Sequence, residues 1–317
     1  MPLGHSRAAA HPALWGDDSP ANGRRMGRRM IYSLRHRTAY GYARTVDLAS
    51  HLLHLKPRIL PGQRVLSARL TCLPAPDHHT ETHDHFGNAA TRLFLVAPHT
   101  AFEVTAESLV EVDFPEAPPA ARSLPWERIA AAGLGAETAD FLLPTLFVPL
   151  IPEATAYAAV SFPPGRPVLE GLLDLNRRIR QEFTFQAGVT SITTPIAEVL
   201  RMRRGVCQDF SQLMLAGLRG LGLPARYVSG YVRTRPPPGQ ARRRGADQSH
   251  AWVSAWIGDE WVQLDPTNGL VVRDEHVVLA WGRDFSDISP VRGVLLGGGA
   301  HRLEVNVDLE PATERVA

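Results

Sequence analysis

Between Ile31 and Asp113 apolar and polar residues alternate in short runs, YSLRHRTAYGY, RVLSARLTCL, ATRLFLVA and AFEVTAESLVEV. Pro57, Pro61-Gly62, Pro74, Pro76 and Gly87-Asn88 punctuate them. A period of two bounded by turn residues predicts strands, and their spacing predicts an antiparallel sandwich or barrel. Phe114 to Pro125, rich in Pro and Ala, reads as a linker. Past it the period lengthens. Helical signals appear around Ala136–Leu143 and, more strongly, over Val168–Phe183, where Leu169, Leu172, Leu173, Leu175 and Ile179 recur. Thr194-Pro195 supplies a cap and a first-turn proline for a short helix to Arg203. After Cys207 the residues Phe210, Leu213, Met214, Leu218 and Leu221 trace one face of a helix that Gly222 and Pro224 end. A strand at Arg226–Val232, a hairpin and further strands to Leu309 follow. Helices first and sheet after make an α+β arrangement behind a β-sandwich-like domain. The predicted organisation is a β domain over 30–113, a linker over 114–125, a core over 126–309 and a tail over 310–317.

The hairpin brings the first chemistry. HAWVSAWI and EWVQLDP are alternating runs joined by Gly258-Asp259, a two-residue turn signal with Gly at its first position. Pairing Ile257 with Glu260 sets Val253 opposite Leu264 and Ala255 opposite Val262 on an apolar face. The other face holds Trp256 with Trp261, Ser254 with Gln263 and Trp252 with Asp265. His250 and Asp265 become diagonal neighbours on that face, roughly 5–8 Å apart at the backbone, within reach for a carboxylate and an imidazole. A slip of one residue would separate them. Pro266 keeps Asp265 extended and marks the strand's end.

Cys207 falls at a helix N-terminus, where free backbone N–H groups and the helix dipole favour a thiolate. Asp209, two positions on and about 200° round the axis, points its charge away from the sulfur. A cysteine so placed can be a nucleophile, with His250 as its base and Asp265 orienting the imidazole. The backbone N–H of Cys207 is the first oxyanion donor. A side-chain donor is left open among Gln181, Thr184 and Gln186.

The order Cys207, His250, Asp265, inside GVCQDF, HAW and WVQLDPTNG, resembles the transglutaminase-like core superfamily, which shares its catalytic arrangement with papain-like cysteine proteases. YSLRHRTAYGY, HLLHLKPR, HDHFGN, VAPHTAFEV and GRDFSDISPVRGV are similar to bacterial transglutaminase-like proteins often labelled cysteine proteases. The resemblance runs from Met30 to Leu309 and implies a papain/transglutaminase-like core. It implies a thiol-dependent hydrolase acting on peptide or side-chain amide bonds through a thioester. A transamidase, in which an amine resolves the thioester, and a non-catalytic peptide-binding module are the alternatives. Arg201 stands where papain-type enzymes carry a glutamine, Gln212 where relatives commonly carry His, and Ser254 where Glu is frequent.

Composition narrows the partners. A net charge of +2 over 317 residues implies no nucleic-acid partner, and no run approaches membrane-spanning length. A peptide or protein substrate is expected; composition leaves the oligomeric state open. Lys56 is the only lysine, so few amines are offered for self-crosslinking. Of the two cysteines, Cys72 lies in an alternating strand and reads as core, which leaves no disulfide and predicts a cytoplasmic protein. Residues 1–29 read as disordered, with Met26 or Met30 as an alternative start. No cofactor is implied. The cluster His78, His79, His83, Asp84 and His85 puts two histidines on one strand face but completes no metal site. Thr234–Ser249, with Arg242-Arg243-Arg244, reads as a solvated loop or a flap over the cleft, and Trp256 with Trp261 as packing.

Overall fold

The computed structural model describes residues 29–132, 135–234 and 249–312. In chain order the elements are β1 (Met30–Leu53), β2 (Gln63–Leu73), β3 (His78–His83), β4 (Ala89–Leu95) and β5 (His99–Val112), then α1 (Trp126–Ala130), α2 (Pro152–Ala159) and α3 (Val168–Glu182). There follow β6 (Thr184–Phe185), α4 (Ile196–Met202), β7 (Arg204–Gly205) and α5 (Cys207–Gly220). The chain closes with β8 (Ala225–Val232), β9 (Ser249–Trp256), β10 (Trp261–Asp265), β11 (Leu270–Val271), β12 (His276–Gly282), β13 (Val291–Gly297) and β14 (His301–Pro311). The architecture is α+β, a β-sandwich-like N-terminal region before a mixed core. Two compact units emerge, one taking in residues 117–227 and 251–271, the other the N-terminal strands with residues 228–250 and those from 272 onward.

The N-terminal strands form four long antiparallel ribbons. β1 runs beside β4 and β5 on one side, with Leu53 opposite Thr91 and Met30 opposite Val112. On its other side lie β13 and β14, from Leu53 opposite Val291 to Tyr32 opposite Pro311. β2 and β3 flank β5 and β4 in turn. The β1–β5 register shifts between Gly41 and Val46, at the level where β13 gives way to β14, and there Ala43 N–H and Arg44 N–H donate to the Ala300 and Gly298 carbonyls at 2.8 and 3.0 Å. Gly297, Gly298 and Gly299 all have positive φ there, a conformation that side chains disfavour. Tyr42, Val46, Leu53, Leu95, Phe102 and Val104 fill one core; Tyr32, Leu34, Val110, Leu309, Tyr231 and Val277 fill another. β13 and β14 complete the sheet of β1, a pairing across more than two hundred residues that local periodicity does not encode.

Two buried amides tie β12 into the same unit. Gln63 donates Nε2–H to the Val278 carbonyl at 2.8 Å and accepts the Val278 N–H at 2.7 Å. Asn88 does likewise with Trp281, at 2.8 and 2.9 Å. Each side chain thereby supplies the two bonds that a neighbouring strand would. Asp84 holds this corner: it accepts from Phe86 N–H, Asn88 N–H and Asn88 Nδ2, and stands 3.3 Å from His54 Nε2. The histidines of β3 are exposed, and His85 lies beyond the strand, in the turn, rather than on its face. Cys72 packs against the core of Tyr42 and Phe102, and burial pushes its thiol up to about 11.

The second sheet runs β11-β10-β9-β8-β12. α3 begins at Val168 as the period predicts, and Ala136–Leu143 holds only a short 3-10 turn, Ala139–Leu142. α2 has no strong apolar face to announce it. Its small residues permit a close approach, since a side chain at Gly217 of α5 would meet the Ala158 Cβ at 2.7 Å. α5 itself is buried on all sides from Asp209 to Arg219, where one apolar face is predicted. Arg219 is accommodated by donating to the Ala225 carbonyl at 3.0 and 2.8 Å and to Leu143 at 3.2 Å.

Two predictions follow from these cores. Removing the amide of Gln63 strands the Val278 N–H and leaves its carbonyl with the Arg58 N–H at 3.2 Å, so Gln63→Leu should lower unfolding free energy by about 2 kcal/mol in a denaturant titration; an unchanged midpoint would contradict the pairing. His36 and His51 are held neutral by burial, each pushed down from 6.5 to about 4, His51 also by His99. The unfolded chain therefore takes up their protons first, and stability should fall as pH drops from about 6.5 towards 4. Replacing His36, which bonds Tyr231 Oη at 2.7 Å and Thr38 Oγ1 at 2.9 Å, with Gln should flatten that slope between about pH 6.5 and 5. A flat profile in the parent protein would contradict it.

Candidate active site

Cys207 is the first residue of α5, half-buried, after an extended Val206. Its position is set from both sides. α4 ends on Arg203 in the left-handed region (φ 54°), and β7 turns from it to pair parallel with β6. Thr184 N–H donates to the Arg203 carbonyl at 2.9 Å and Gln186 N–H to the Gly205 carbonyl at 2.8 Å. The Arg203 guanidinium bonds Glu182 at 2.9 Å and lies 4.7 Å over the Phe183 ring. On the helix side, Asp209 reaches back to accept the Val206 N–H at 2.7 Å, half of a capping box, and accepts from Thr190 Oγ1 at 2.7 Å. Burial raises the Asp209 carboxyl pKa against those two bonds. Gly205 leaves the room for it, since a Cβ there would sit 2.7 Å from Asp209 Oδ2. The aspartate thus serves the helix cap.

The hairpin has the predicted register: Trp256 with Trp261, Ala255 with Val262, Ser254 with Gln263, Val253 with Leu264. Gly258 turns it with φ at 120°, and Ile257 N–H closes it on the Glu260 carbonyl at 3.0 Å. His250 is buried near the start of β9. Asp265, last residue of β10, is 0% exposed. Its carboxylate accepts Thr267 N–H at 3.0 Å, Asn268 N–H at 3.2 Å and Asn268 Nδ2 at 2.7 Å, so the turn after the strand solvates the anion.

A third residue joins this pair. His250, Asp265 and His276, all buried, bring ring-nitrogen and carboxylate atoms within 4.8 Å of one another. The His250 and His276 rings lie 6.3 Å apart between centroids. The Cys207 sulfur is not a member of that cluster. His276 escapes sequence reasoning because it opens an apolar strand, HVVLAWG, with no motif around it; a lone polar residue in a buried run was the only signal. Two imidazoles and a carboxylate are donor types that bind divalent transition metals, and the same atoms serve equally as a hydrogen-bonded relay.

The other candidates distribute plainly. Gln181, Thr184 and Gln186 are all exposed, and Gln186 is engaged through its backbone. Gln212 and Ser254 are buried inside α5 and β9, Ser254 completely. Trp256 and Trp261 pack at 5.4 Å, with Phe141 and the Arg226 guanidinium against Trp261. The loop between Thr234 and Ser249 lies outside the described residues, as do residues 1–28.

Residues 32–111 match the bacterial transglutaminase-like N-terminal region, and residues 159–266 the transglutaminase-like superfamily. The Mycobacterium tuberculosis protein Rv2569c is 40% identical over 292 residues, 88% of this chain and 92% of its own. The crystal structure of a candidate cysteine protease from Cytophaga hutchinsonii shares the fold, with TM-score 0.70 and 20% identity over 92% of this chain and 93% of that one. The periplasmic domain of TgpA from Pseudomonas aeruginosa also matches, 17% identical with TM-score 0.34 over 71% of this chain and 91% of that one. The cytoplasmic assignment is corrected beside a periplasmic match: Cys72 and Cys207 are both free, and unpaired thiols fold on either side of a membrane. With both family regions matched and a full-length relative at 40% identity, the chain belongs to the bacterial transglutaminase-like superfamily.

Proposed function

We propose that the protein is a thiol-dependent hydrolase that cleaves peptide or side-chain amide bonds through Cys207, His250 and Asp265. The observation that carries this reading is the buried His250–Asp265 cluster at one end of a hairpin, in a chain whose other cysteine, Cys72, packs half-buried against a core. Family membership supports hydrolase chemistry in general; the assignment of roles rests on the residues.

In the first step His250 accepts the thiol proton of Cys207, and the sulfur attacks the amide carbonyl carbon. Negative charge develops on the carbonyl oxygen, where the Cys207 backbone N–H donates. The imidazolium then gives its proton to the departing amine, and a thioester remains. Water, deprotonated by His250, attacks the thioester and releases the acid and the free thiol. Asp265, already satisfied by Asn268 and Thr267 N–H, keeps a fixed anion available to the second ring nitrogen of His250. That arrangement holds one tautomer and stabilises the imidazolium between steps.

At neutral pH iodoacetamide should alkylate Cys207 and spare Cys72, whose thiol burial holds at about 11, as read by peptide mass mapping. Equal labelling, or none at Cys207, favours a binding module without catalysis. Offered a glutamine peptide, the enzyme should release ammonia without incorporating a labelled amine; incorporation contradicts hydrolysis and points to acyl transfer. Asp265→Asn should lower kcat by about a hundred- to ten-thousand-fold while the folded state persists. Undiminished turnover would remove Asp265 from the mechanism.

A further inference from the structure

The ribbon of β13 and β14 pairs, among the described residues, on one side only, with β1. Along β14 the odd-numbered residues share a face with the inward residues of β1, in the register Leu309 with Leu34, Val307 with His36, Val305 with Thr38 and Leu303 with Tyr40. Leu309 and Val307 are 0% exposed, whereas Val305 and Leu303 are 46% and 49% exposed. One apolar row therefore begins in the core and runs off its end, at Val305 and Leu303, onto a strand edge that no other described strand pairs. Such edges are ordinarily blunted by Lys, Pro or an inward charge, and between His301 and Glu310 there is neither Lys nor Pro. On the opposite face Arg302 and Glu304 stand side by side, joined at 2.9 Å, with Arg37 beside Glu304 at 3.9 Å.

We propose that this edge pairs antiparallel with the same edge of a second copy of the chain, on a two-fold axis through Leu303. The register sets Leu303 opposite its counterpart and His301 opposite Val305, which covers the exposed end of the apolar row. On the other face it sets Arg302 opposite Glu304 of the second copy. The two strands then carry four charges in alternating sign, each arginine flanked by one glutamate in its own chain and one across the axis. An axis through Glu304 would oppose two glutamates, and one through Asn306 would oppose Glu304 and Asp308. An axis through Val305 pairs Arg302 with Asp308 but breaks the alternating square. The pairing is isologous and closes as a dimer, leaving no free edge to propagate. Five facing residues per strand make a small contact, so association belongs to the weak, micromolar class. The inference is independent of the hydrolase reading, since no residue of that site takes part.

Sedimentation velocity of the full chain across the micromolar range tests it. The parent protein should pass from monomer to dimer. Leu303→Asp and Val305→Lys should remain monomeric with an unchanged circular dichroism spectrum. Arg302→Glu should weaken dimerisation about tenfold, and adding Glu304→Arg in the same chain should restore it. A parent protein monomeric throughout, Leu303 and Val305 variants that dimerise as well as the parent, or rescue of Arg302→Glu by Asp308→Arg in place of Glu304→Arg, would overturn the proposal.

Discussion

A carboxylate sealed from water survives as an anion only where donors replace its hydration, and Asp265 is such a group. Asn268 and the N–H groups of residues 267 and 268 supply those donors from a turn that also ends β10. The turn is in turn anchored, because Gly269 N–H returns to the Asp265 carbonyl at 2.8 Å and Asn176 of α3 donates to the Leu270 carbonyl at 3.2 Å. The position of this one oxygen pair is thus fixed by the turn that follows β10. The hairpin register, from Trp256 with Trp261 to Val253 with Leu264, sets where that strand end lies.

The start of α5 is built on a parallel logic with a different carboxylate. Asp209 is buried too, yet it is spent on the Val206 N–H and Thr190, and Gly205 has no side chain because that carboxylate fills the space. Its work is to start α5 at Cys207 and nowhere else. Burial of the rest of α5 on every face then prevents the helix from shifting along its axis. The two buried aspartates have distinct donor sets, Thr267 and Asn268 for Asp265, Val206 and Thr190 for Asp209.

What the sequence made legible was local. The β9–β10 register followed from a period of two and a Gly at the turn, because a one-residue slip would turn the apolar face outward. The start of α5 followed from the phase of Phe210, Leu213, Met214 and Leu218. The rest depends on partners far along the chain. Nothing near Val291 or His301 states that they complete the sheet of β1, and nothing near His276 states that its ring lies by His250. α2 went unread because Ala-rich helices have no apolar stripe; their signal is the glycine they meet, Gly217. Compartment was misread because an unpaired thiol records no environment.

The most direct test of the account is the crystal structure of the protein after reaction with a peptide carrying a thiol-reactive carbonyl. The account predicts a covalent bond to the Cys207 sulfur, the former carbonyl oxygen at the Cys207 N–H, and the His250 ring held between the sulfur and Asp265. An adduct on Cys72 alone, or one on Cys207 with His250 turned to a partner other than Asp265, would contradict it.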